Sequence, residues 1–314
     1  MKQLIRLYLP LVVAAFFVVS CSSDDDGVDV PVEYNANRND TSREPALQRL
    51  EFPKVKGGNS LVIIHTTNDE YGINYSVEWD SDKKAQRWSC YQMYSKNFAS
   101  NGNSRYSLWP NGDPWGYDPN VPVEDQQATY NELSKSYYPG SSGAYYEKGH
   151  ICPSADRLYT RNANEQTFYM TNILPMVKNF NGGIWGSMEN KIRAWCGGNS
   201  LRAWTKNIDT LYICKGGTID RDNDIIGYTK GGHIVPRYFF MALLAKKGTT
   251  YKALAFWAEH LNEDRSNDPL GNYVINIREL ERRTGIDFFC NLPDVIEEDV
   301  ENTTVENIKW LWNL

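Results

Sequence analysis

A histidine and a regular series of residues downstream of it could together catalyse hydrolysis at a metal ion. The histidine is His150, which ends the segment Tyr146-Glu147-Lys148-Gly149-His150. The series recurs at every fourth position and consists of Asn181, Trp185, Glu189 and Arg193. An imidazole can take a proton from water near neutral pH, and amide and carboxylate oxygens are ligands of hard divalent cations. This pattern indicates a nuclease that hydrolyses phosphodiester bonds at one metal ion.

The spacing of the series predicts a helix from Asn181 to Trp195. Residues four apart stack on one face of an α-helix, so the series would form one stripe that faces a cleft. A neighbouring apolar stripe, which could be buried, consists of Ile184, Met188, Ile192 and Trp195. The alternative is a surface helix on which Glu189 and Arg193 form only an ion pair, worth about a few tenths of a kcal/mol.

The surrounding sequence contains further motifs in a fixed order. They are Lys148-Gly149-His150, Asp156-Arg157, the run EQTFYMTNILP over residues 165–175, and then Asn181 with Trp185 and Glu189. This order resembles the DNA/RNA non-specific endonuclease family of ββα-metal nucleases, to which endonuclease G belongs. The resemblance is dense from Gly143 to Trp195 and weaker from there to the end of the chain. It implies an α+β fold, with a ββα-metal nuclease core and a mainly antiparallel sheet flanked by helices and long loops.

The resemblance also implies roles for the residues that match the family's motifs. His150 falls on the general base and Asn181 on the single direct magnesium ligand. Glu189 matches an acidic residue that holds metal-bound water, Arg193 an arginine that steadies the phosphate, and Asn172 a second asparagine near the active site. The implied cofactor is Mg²⁺, with Mn²⁺ as an alternative. The implied substrate is the backbone of DNA and RNA, hydrolysed without sequence specificity and without a nucleotide cofactor.

The chain departs from the family pattern near its histidine. The pattern is Asp-Arg-Gly-His, whereas this chain has Glu147-Lys148-Gly149-His150. Lys148 keeps a positive charge but lacks the planar guanidinium that can grip a phosphate with two bonds. Met176 stands where a glutamine is common. These changes predict reduced activity or an altered substrate range.

A further arginine is expected upstream, shortly before an Asp-Pro pair that matches residues 118–119. Asp113 occupies the nearest equivalent position. Arg105, on a slightly longer loop, is therefore the candidate for this phosphate-binding arginine.

Other metal sites fit the sequence less well. His150 and Cys152 alternate along an extended segment and could share a zinc ion, but no C-x-x-C or H-E-x-x-H pattern accompanies them. The remaining histidines, His65, His233 and His260, are predicted to be structural because they lie in apolar strands or turns.

The N-terminus predicts export from a bacterial cell. A basic start precedes an apolar stretch from Leu7 to Val19, which is shorter than the roughly 20 residues that span a bilayer. Residues 1–20 are therefore predicted to be a lipoprotein signal peptide, and acylation of Cys21 would tether the chain to a membrane. The acidic run at residues 24–26 resembles the export tags of some surface lipoproteins. We therefore expect a surface-exposed outer-membrane lipoprotein.

The rest of the chain is predicted to be a linker over residues 21–58 and one nuclease domain over residues 59–314. Residues 101–143 are rich in Gly, Pro, Asn and Tyr and predict a long loop region. Strands are expected at residues 60–66, 71–79, 88–93, 168–173, 211–215, 234–244, 253–258 and 273–277, and a second helix at 278–284.

Composition limits these expectations in two ways. The net charge of −6 is unlike the basic surface of most nucleic-acid binders, so we expect only a local positive cleft and weak, salt-sensitive binding. Its expected residues are Lys148, Arg157, Arg161, Lys178, Lys191 and Arg193. If Cys21 is lipidated, an odd number of cysteines remains, so at most two disulfides can form and one thiol stays free. These cysteines are Cys90, Cys152, Cys196, Cys214 and Cys290.

An alternative function remains open. The chain could be a surface lipoprotein of the same fold that has lost catalysis and binds nucleic acid or glycan. Its 20 Tyr and 10 Trp suit base stacking on single strands, but they suit a large core or a glycan-binding surface equally well. The sequence also leaves the oligomeric state open.

Overall fold

Aromatic, Ala, Leu and β-branched residues dominate the longest strands of the protein. The computed structural model describes residues 34–68, 70–141, 143–197 and 204–314. Its strands are β1 Ser60–Thr66, β2 Ile73–Asp80, β3 Ala85–Met93, β4 Tyr146–His150, β5 Ile173–Val177, β6 Thr210–Gly217, β7 Ile225–Tyr228, β8 Ile234–Pro236, β9 Tyr238–Lys247, β10 Thr250–Glu259 and β11 Val274–Ile275. Seven of them form one antiparallel sheet in the order β1-β2-β3-β6-β9-β10-β11.

This sheet has a hydrophobic core on each face, which explains why its central strand β9 is apolar at nearly every position. Successive residues of β9 point to opposite faces, so Phe239 and Met241 join one core while Phe240 and Ala242 join the other. Residues of the helix that begins at Gly186 pack in the first core. Leu280 and other residues near the C-terminus pack in the second.

The helices surround the sheet and are mostly short. They are α1 Ser95–Phe98, α2 Arg105–Leu108, α3 Val123–Glu132, α4 Arg161–Gln166, α5 Gly186–Cys196, α6 Ile277–Thr284, α7 Asp294–Glu301 and α8 Val305–Trp312. In α6, Asn276 caps the first turn by accepting a hydrogen bond from the amide of Glu279, and Gly285 ends the helix at a φ of +72°. None of the described helices is long and apolar enough to cross a membrane.

Strands β4 and β5 and helix α5 form the ββα unit of the fold. The two strands pair with each other in antiparallel register, from Tyr146 opposite Val177 to His150 opposite Ile173. Gly149 is required at this position because a Cβ there would lie 2.4 Å from the side chain of Met176 and 2.9 Å from the backbone oxygen of Leu174. The α+β prediction with an antiparallel sheet and a ββα core is confirmed.

The helix predicted from Asn181 to Trp195 is interrupted. Residues Phe180–Trp185 form a π-helical turn, and α5 begins only at Gly186. Gly183 has non-helical angles, φ −94° and ψ −114°, which a residue without a Cβ adopts most easily. Asn181 therefore does not continue the α-helical stripe of Glu189 and Arg193.

Several predicted strands also have different bounds. Met170–Asn172 form a short 3-10 helix, and the strand expected over residues 168–173 begins only at Ile173. The strand expected over residues 234–244 is divided at Arg237 between two sheets, because β8 pairs with β7 while β9 joins the central sheet. The expected strand at 273–277 contributes only Val274–Ile275, and the expected loop at 101–143 contains α2 and α3.

The described part of the predicted linker, residues 34–58, is folded, so this prediction was wrong for that part. Phe52 is completely buried and packs in the second core. The amide of Lys54 donates to the carbonyl of Asp287 over 2.8 Å, and Asn291 donates to the carbonyl of Leu47 over 2.8 Å. Long-range contacts with the C-terminal region thus order a segment whose polar composition resembles a linker. The predicted signal peptide and Cys21 lie outside the described residues.

The five described cysteines are free and mostly buried. Cys90 and Cys214 lie opposite each other on β3 and β6. Burial raises the pKa of all five thiols, to about 12 for Cys152. These side chains therefore act as apolar core residues.

Candidate active site

A cavity of about 530 Å³ opens beside the end of β4 and the π-helical turn that precedes α5. Charged, polar and aromatic side chains line it: Arg105, Trp115, Leu133, Tyr145, Tyr146, Glu147, Lys148, His150 and Asn181. The fold therefore brings together four residues that the sequence predicted for the site, Arg105, Lys148, His150 and Asn181. The other three predicted catalytic residues do not line this cavity.

His150 is held by aromatic side chains on several sides. The ring centroids of Trp115 and Phe168 each lie 5.1 Å from that of His150. The indole nitrogen of Trp185 donates to the backbone oxygen of His150 over 3.3 Å, which ties the strand to the helical segment. These contacts fix the position of the imidazole at the edge of the cavity.

The imidazole is neutral over the neutral pH range. Burial lowers the pKa of His150 to about 3, and the positive charge of Arg105 contributes, although Asp113 opposes it. Nε2 is buried and has no hydrogen-bond partner among the described residues. This nitrogen can therefore accept a proton when Nδ1 carries the ring's hydrogen.

Arg105 reaches the cavity from helix α2. Its guanidinium carbon lies 4.9 Å from the ring centroid of Phe168 and 5.9 Å from that of Trp115. Asp113 accepts two hydrogen bonds from it, over 2.7 and 2.5 Å, and this pairing lowers the pKa of Asp113. The aspartate that occupies the expected arginine position thus holds Arg105 at the site.

Asn181 and Glu147 form the polar side of the cavity. The amide nitrogen of Asn181 donates to Oε2 of Glu147 over 2.9 Å. This bond directs the amide so that its carbonyl oxygen is the atom left for a cation. Glu147 therefore has a clear position in the site, although the sequence indicated it only as a departure from Asp.

Lys148 adds positive charge to the same cavity. Its ammonium nitrogen lies 5.0 Å from the ring centroid of Trp115, and burial lowers the pKa of Lys148. Met176 of β5 lies opposite Glu147 of β4, is fully buried and packs against Gly149. The methionine that replaces the common glutamine is thus a core residue here.

Glu189 and Arg193 belong to a separate buried cluster of charges. Glu189 pairs with the fully buried Lys215 over 3.2 Å, and Arg193 pairs with Asp156 over 2.8 Å. Burial raises the pKa of Glu189, against the lowering effect of Lys215. Lys215 lies 5.6 Å from the ring centroid of Trp185. The cluster therefore packs behind the tryptophan that contacts His150.

Asn172 is structural. It is fully buried, donates to the backbone oxygens of Cys152 and Thr167, and accepts from the amide of Cys152 and the hydroxyl of Ser89. These four hydrogen bonds hold the chain just after His150. Asn172 thus fixes the path of the strand end and does not face the cavity.

A comparison with protein families shows to which family the chain belongs. Residues 62–295 match the model of the DNA/RNA non-specific endonuclease family. The chain belongs to this family. It is 28% identical to a nuclease of Nostoc sp. over 73% of this chain and 75% of that protein. It is 26% identical to nuclease C1 of Cunninghamella echinulata, over 56% of this chain and 66% of that protein.

A solved structure shows the same fold. The crystal structure of the EndoG/EndoGI complex matches with a TM-score of 0.56. The sequence identity is 17%, and the match covers 76% of this chain and 91% of that one. The human mitochondrial nuclease EXOG is 23% identical, over 70% of this chain but only 56% of the relative. The prediction of the family is therefore confirmed.

The family is one of metal-dependent nucleases, and the cavity has suitable ligand groups. One amide oxygen from Asn181 and a nearby carboxylate from Glu147 match the oxygen ligands and retained waters that Mg²⁺ prefers. Zinc is disfavoured, because no group of three or more possible His, Cys, Asp or Glu ligands in the described chain includes His150 or Cys152.

The predicted structural histidines lie outside the cavity lining. His65 contacts Asp118 over 3.1 Å, and Nε2 of His260 accepts from the amide of Val177 over 2.9 Å. His233 is buried.

The predicted positive cleft is smaller than expected. Arg157 is fully buried, with its guanidinium carbon 4.4 Å from the ring centroid of Tyr91. Arg193 is occupied by Asp156. The cavity lining takes its positive charge from Arg105 and Lys148.

Three contributors to the site were missed from the sequence. The ring of Trp115 lies close to His150, Arg105 and Lys148. Its place shortly before the Asp-Pro pair at residues 118–119 could have indicated it. No sequence pattern indicates Lys215 or Tyr145, because Lys215 pairs with Glu189 and Tyr145 reaches the cavity only in the folded chain.

Proposed function

We propose that this protein is a Mg²⁺-dependent endonuclease that hydrolyses DNA and RNA without sequence specificity. The observation that carries the proposal is the convergence of one neutral imidazole, one amide and one arginine on a single cavity. Membership of the family supports the same conclusion. Mn²⁺ is a reasonable substitute cation because it also prefers oxygen ligands.

In the proposed reaction, His150 takes a proton at Nε2 from a water molecule as the water oxygen attacks phosphorus. The new phosphorus–oxygen bond forms while the bond to the 3′ oxygen breaks. The leaving 3′ oxygen takes a proton from solvent water, and the His150 imidazolium then gives its proton back to solvent, which leaves a 5′-phosphate and a 3′-hydroxyl. Arg105 and Lys148 hold the phosphate oxygens by charge. Asn181, oriented by Glu147, would hold the cation. A bound cation supplies charge compensation for the phosphate and for the leaving oxygen.

The charge cluster of Glu189, Lys215, Arg193 and Asp156 is linked to this site through Trp185. Lys215 and Glu189 pack beside Trp185, and Trp185 bonds the backbone of His150. Glu189 and Arg193 would therefore act as positioning residues here, while the family resemblance gives Glu189 a role toward metal-bound water. Glu189 is paired with Lys215 and does not line the cavity, which favours the positioning role.

We also propose that the protein is secreted and attached to the outer membrane by lipid on Cys21, facing outward. The support is the sequence of residues 1–26 alone. Labelling cells with a radioactive or clickable fatty acid should label the wild-type protein and not Cys21→Ala. Protease added to intact cells should remove the labelled protein if it faces outward.

The nuclease proposal can be tested with plasmid DNA and RNA as substrates. We expect digestion with Mg²⁺, loss of digestion with EDTA, and a decrease of at least about 10²-fold in His150→Ala, because general base catalysis typically contributes that much. Arg105→Ala should also lose activity, whereas Arg282→Ala should not. Arg282 has a side chain that is 72% exposed, pairs with Glu279 on α6 and lies outside the cavity lining.

Two results would contradict the proposal. Digestion that survives both EDTA and His150→Ala would exclude this mechanism. Binding of nucleic acid or glycan by a folded wild-type protein, without any digestion, would favour the alternative of a surface protein that has lost catalysis.

A further inference from the structure

Two exposed tyrosines form a pair at the edge of the cavity. Tyr137 is 40% exposed and Tyr145 is 47% exposed. Their ring centroids lie 4.5 Å apart at an angle of 36°, and the hydroxyl of Tyr137 donates to that of Tyr145 over 3.0 Å. Each ring thus braces the other while a large part of both remains accessible to solvent.

The pair has a fixed position relative to the proposed catalytic groups. Tyr145 lines the cavity and directly precedes β4, the strand that carries Lys148 and His150. A backbone bridge joins Tyr137 to Tyr145. The aromatic surface therefore begins where the positive cavity ends.

We propose that Tyr137 and Tyr145 form a stacking platform for an unpaired base next to the bound phosphate, and that the enzyme therefore prefers single-stranded DNA or RNA to duplex. This inference rests on the proposed nuclease function. Stacking of a base on an aromatic side chain tolerates any sequence, because every base has a flat face. It therefore adds affinity without adding sequence specificity.

Single strands fit this surface better than duplexes for a geometric reason. In a duplex, both faces of an internal base are covered by its neighbours in the stack, so a platform beside the backbone has no face to contact. In a single strand, a base can leave the stack and lie on an aromatic ring while its phosphate enters the cavity. Arg105 and Lys148 provide the positive charge for that phosphate.

The first experiment compares an oligonucleotide as a single strand and as a duplex of the same sequence. For Tyr145→Ala we expect kcat/KM on the single strand to fall about tenfold or more, as the loss of one stacked base predicts. On the duplex, kcat/KM should fall several-fold less than it does on the single strand, because the cavity-lining Tyr145 keeps only its contact with the phosphate-binding cavity there. Tyr145→Phe keeps the ring and should retain the preference for single strands.

Tyr34→Ala is the matched control. Tyr34 is also exposed, at 51%. It lies outside the cavity lining, and its backbone oxygen accepts a hydrogen bond from the amide of Asp294. Equal losses on the single strand and the duplex in Tyr145→Ala would overturn the platform. A loss in Tyr34→Ala as large as that in Tyr145→Ala would overturn it too.

A second experiment separates this inference from the nuclease function. Binding of the same oligonucleotides to wild-type and Tyr145→Ala protein is measured in EDTA by fluorescence anisotropy, together with a single strand that has abasic sites. The wild-type protein should bind the abasic strand about tenfold more weakly, and Tyr145→Ala should not distinguish the two strands. If wild type and variant bind alike, the platform is wrong even when the protein cleaves. If the protein does not cleave but the binding difference appears, only the nuclease proposal fails.

Discussion

At the scale of single residues, the environment of His150 determines what the imidazole can do. Two aromatic rings and a nearby guanidinium keep the ring uncharged, and its buried Nε2 has no partner in the described chain. A neutral imidazole has one free ring nitrogen that can take up a proton, so the ring suits a base in the proposed first step. A pKa of about 3 makes it a weak base, and the ring gains basicity only when a bound phosphate or water changes its surroundings. Asp113 moderates this environment by pairing with Arg105.

The pair of Asn181 and Glu147 gives a prediction about the metal. Asn181→Ala removes the proposed ligand oxygen and should raise the Mg²⁺ concentration at half-maximal activity by about tenfold or more, within the range found when such ligands or their supports are changed. Glu147→Gln can still accept from Asn181 but removes a negative charge, so it should raise that concentration less. A Mg²⁺ titration of activity measures both effects. An unchanged midpoint in Asn181→Ala would mean that the cation binds elsewhere.

Lys215 gives a prediction about stability. Lys215→Met leaves the Glu189 carboxylate, whose side chain is 12% exposed, without its partner. Removing one partner of a fully buried pair costs about 3 to 5 kcal/mol, so we expect a loss toward the lower end of that range. The double variant Lys215→Met/Glu189→Gln should recover most of that loss, because it removes the uncompensated charge. Urea denaturation measures the free energy of unfolding. Lys96→Met is the control, since Lys96 and Glu70 are 71% and 70% exposed and 3.9 Å apart, and such pairs contribute about 0 to 1 kcal/mol. A small effect in Lys215→Met would show that the buried pair is not important for folding.

Among the elements of the fold, the antiparallel strand pair β4–β5 sets the position of His150. Its register places Gly149 opposite Leu174, with Met176 filling the space that a side chain at residue 149 would need. The departures from the family pattern near His150 thus have different consequences. Met176 affects the packing of the β4–β5 strand pair, while Glu147 and Lys148 line the cavity.

The close contact between Gly149 of β4 and Met176 of β5 gives a prediction about stability. Gly149→Ala should lower the free energy of unfolding by about 1 to 3 kcal/mol, because its Cβ would overlap Met176 and crowd the Leu174 carbonyl. Met176→Ala alone should also destabilise the protein, because it leaves a cavity in the core. In the double variant Gly149→Ala/Met176→Ala the loss should be smaller than the sum of the two single losses, because the overlap between the two side chains is gone although the backbone contact remains. Gly182→Ala is the control, since no atom lies within 4 Å of a Cβ there. Denaturation curves measure the four variants. Additive losses in the double variant would show that the backbone contact alone causes the effect of Gly149→Ala.

The elements also show what the sequence could predict and what it could not. Side-chain periodicity predicted α5 and the apolar strands, because burial selects residues by face. It could not predict the π-helical turn at Phe180–Trp185, since this turn depends on the backbone freedom of Gly183. The family resemblance indicated His150, Asn181 and Arg105, which the fold brings to one cavity. Glu189 on α5 pairs with Lys215 on β6 only in the folded chain. The two residues are far apart in the sequence, and no local pattern predicts that they meet.

At the scale of the whole molecule, the charges are unevenly distributed. The positive residues of the cavity contrast with an acidic pocket of about 560 Å³ between residues 36–37 and the C-terminal helices α6 and α7, which contains Glu281, Asp287, Glu297 and Glu301. This separation allows a protein with a net charge of −6 to attract a phosphate at one place. The carboxyl groups of the acidic pocket also make the stability of the fold depend on pH.

The acidic pocket should make the protein less stable as the pH rises. Burial raises the pKa of Glu297 from 4.5 to about 8, and burial likewise raises the pKa of Glu281, Asp287 and Glu301. A carboxyl group with a raised pKa binds more protons in the folded than in the unfolded state, so its stabilising effect is lost as the pH rises from about 4.5 to 8. Glu297→Gln can still accept the hydrogen bond from Asn37 and should flatten this decline.

Chemical denaturation from pH 5 to pH 9 tests the sign of this effect, with Glu279→Gln on α6 as the control. Hydrogen bonds from Arg282 and Arg283 lower the pKa of Glu279 to about 2. The stabilising effect of Glu279 is therefore present above its unfolded pKa and is lost only as the pH falls toward 2. Glu279→Gln should shift the stability by a constant amount over the tested range, whereas Glu297→Gln should change the slope. If the wild-type slope is unchanged in Glu297→Gln, the pocket carboxyl does not titrate in this window, and the decline has another origin.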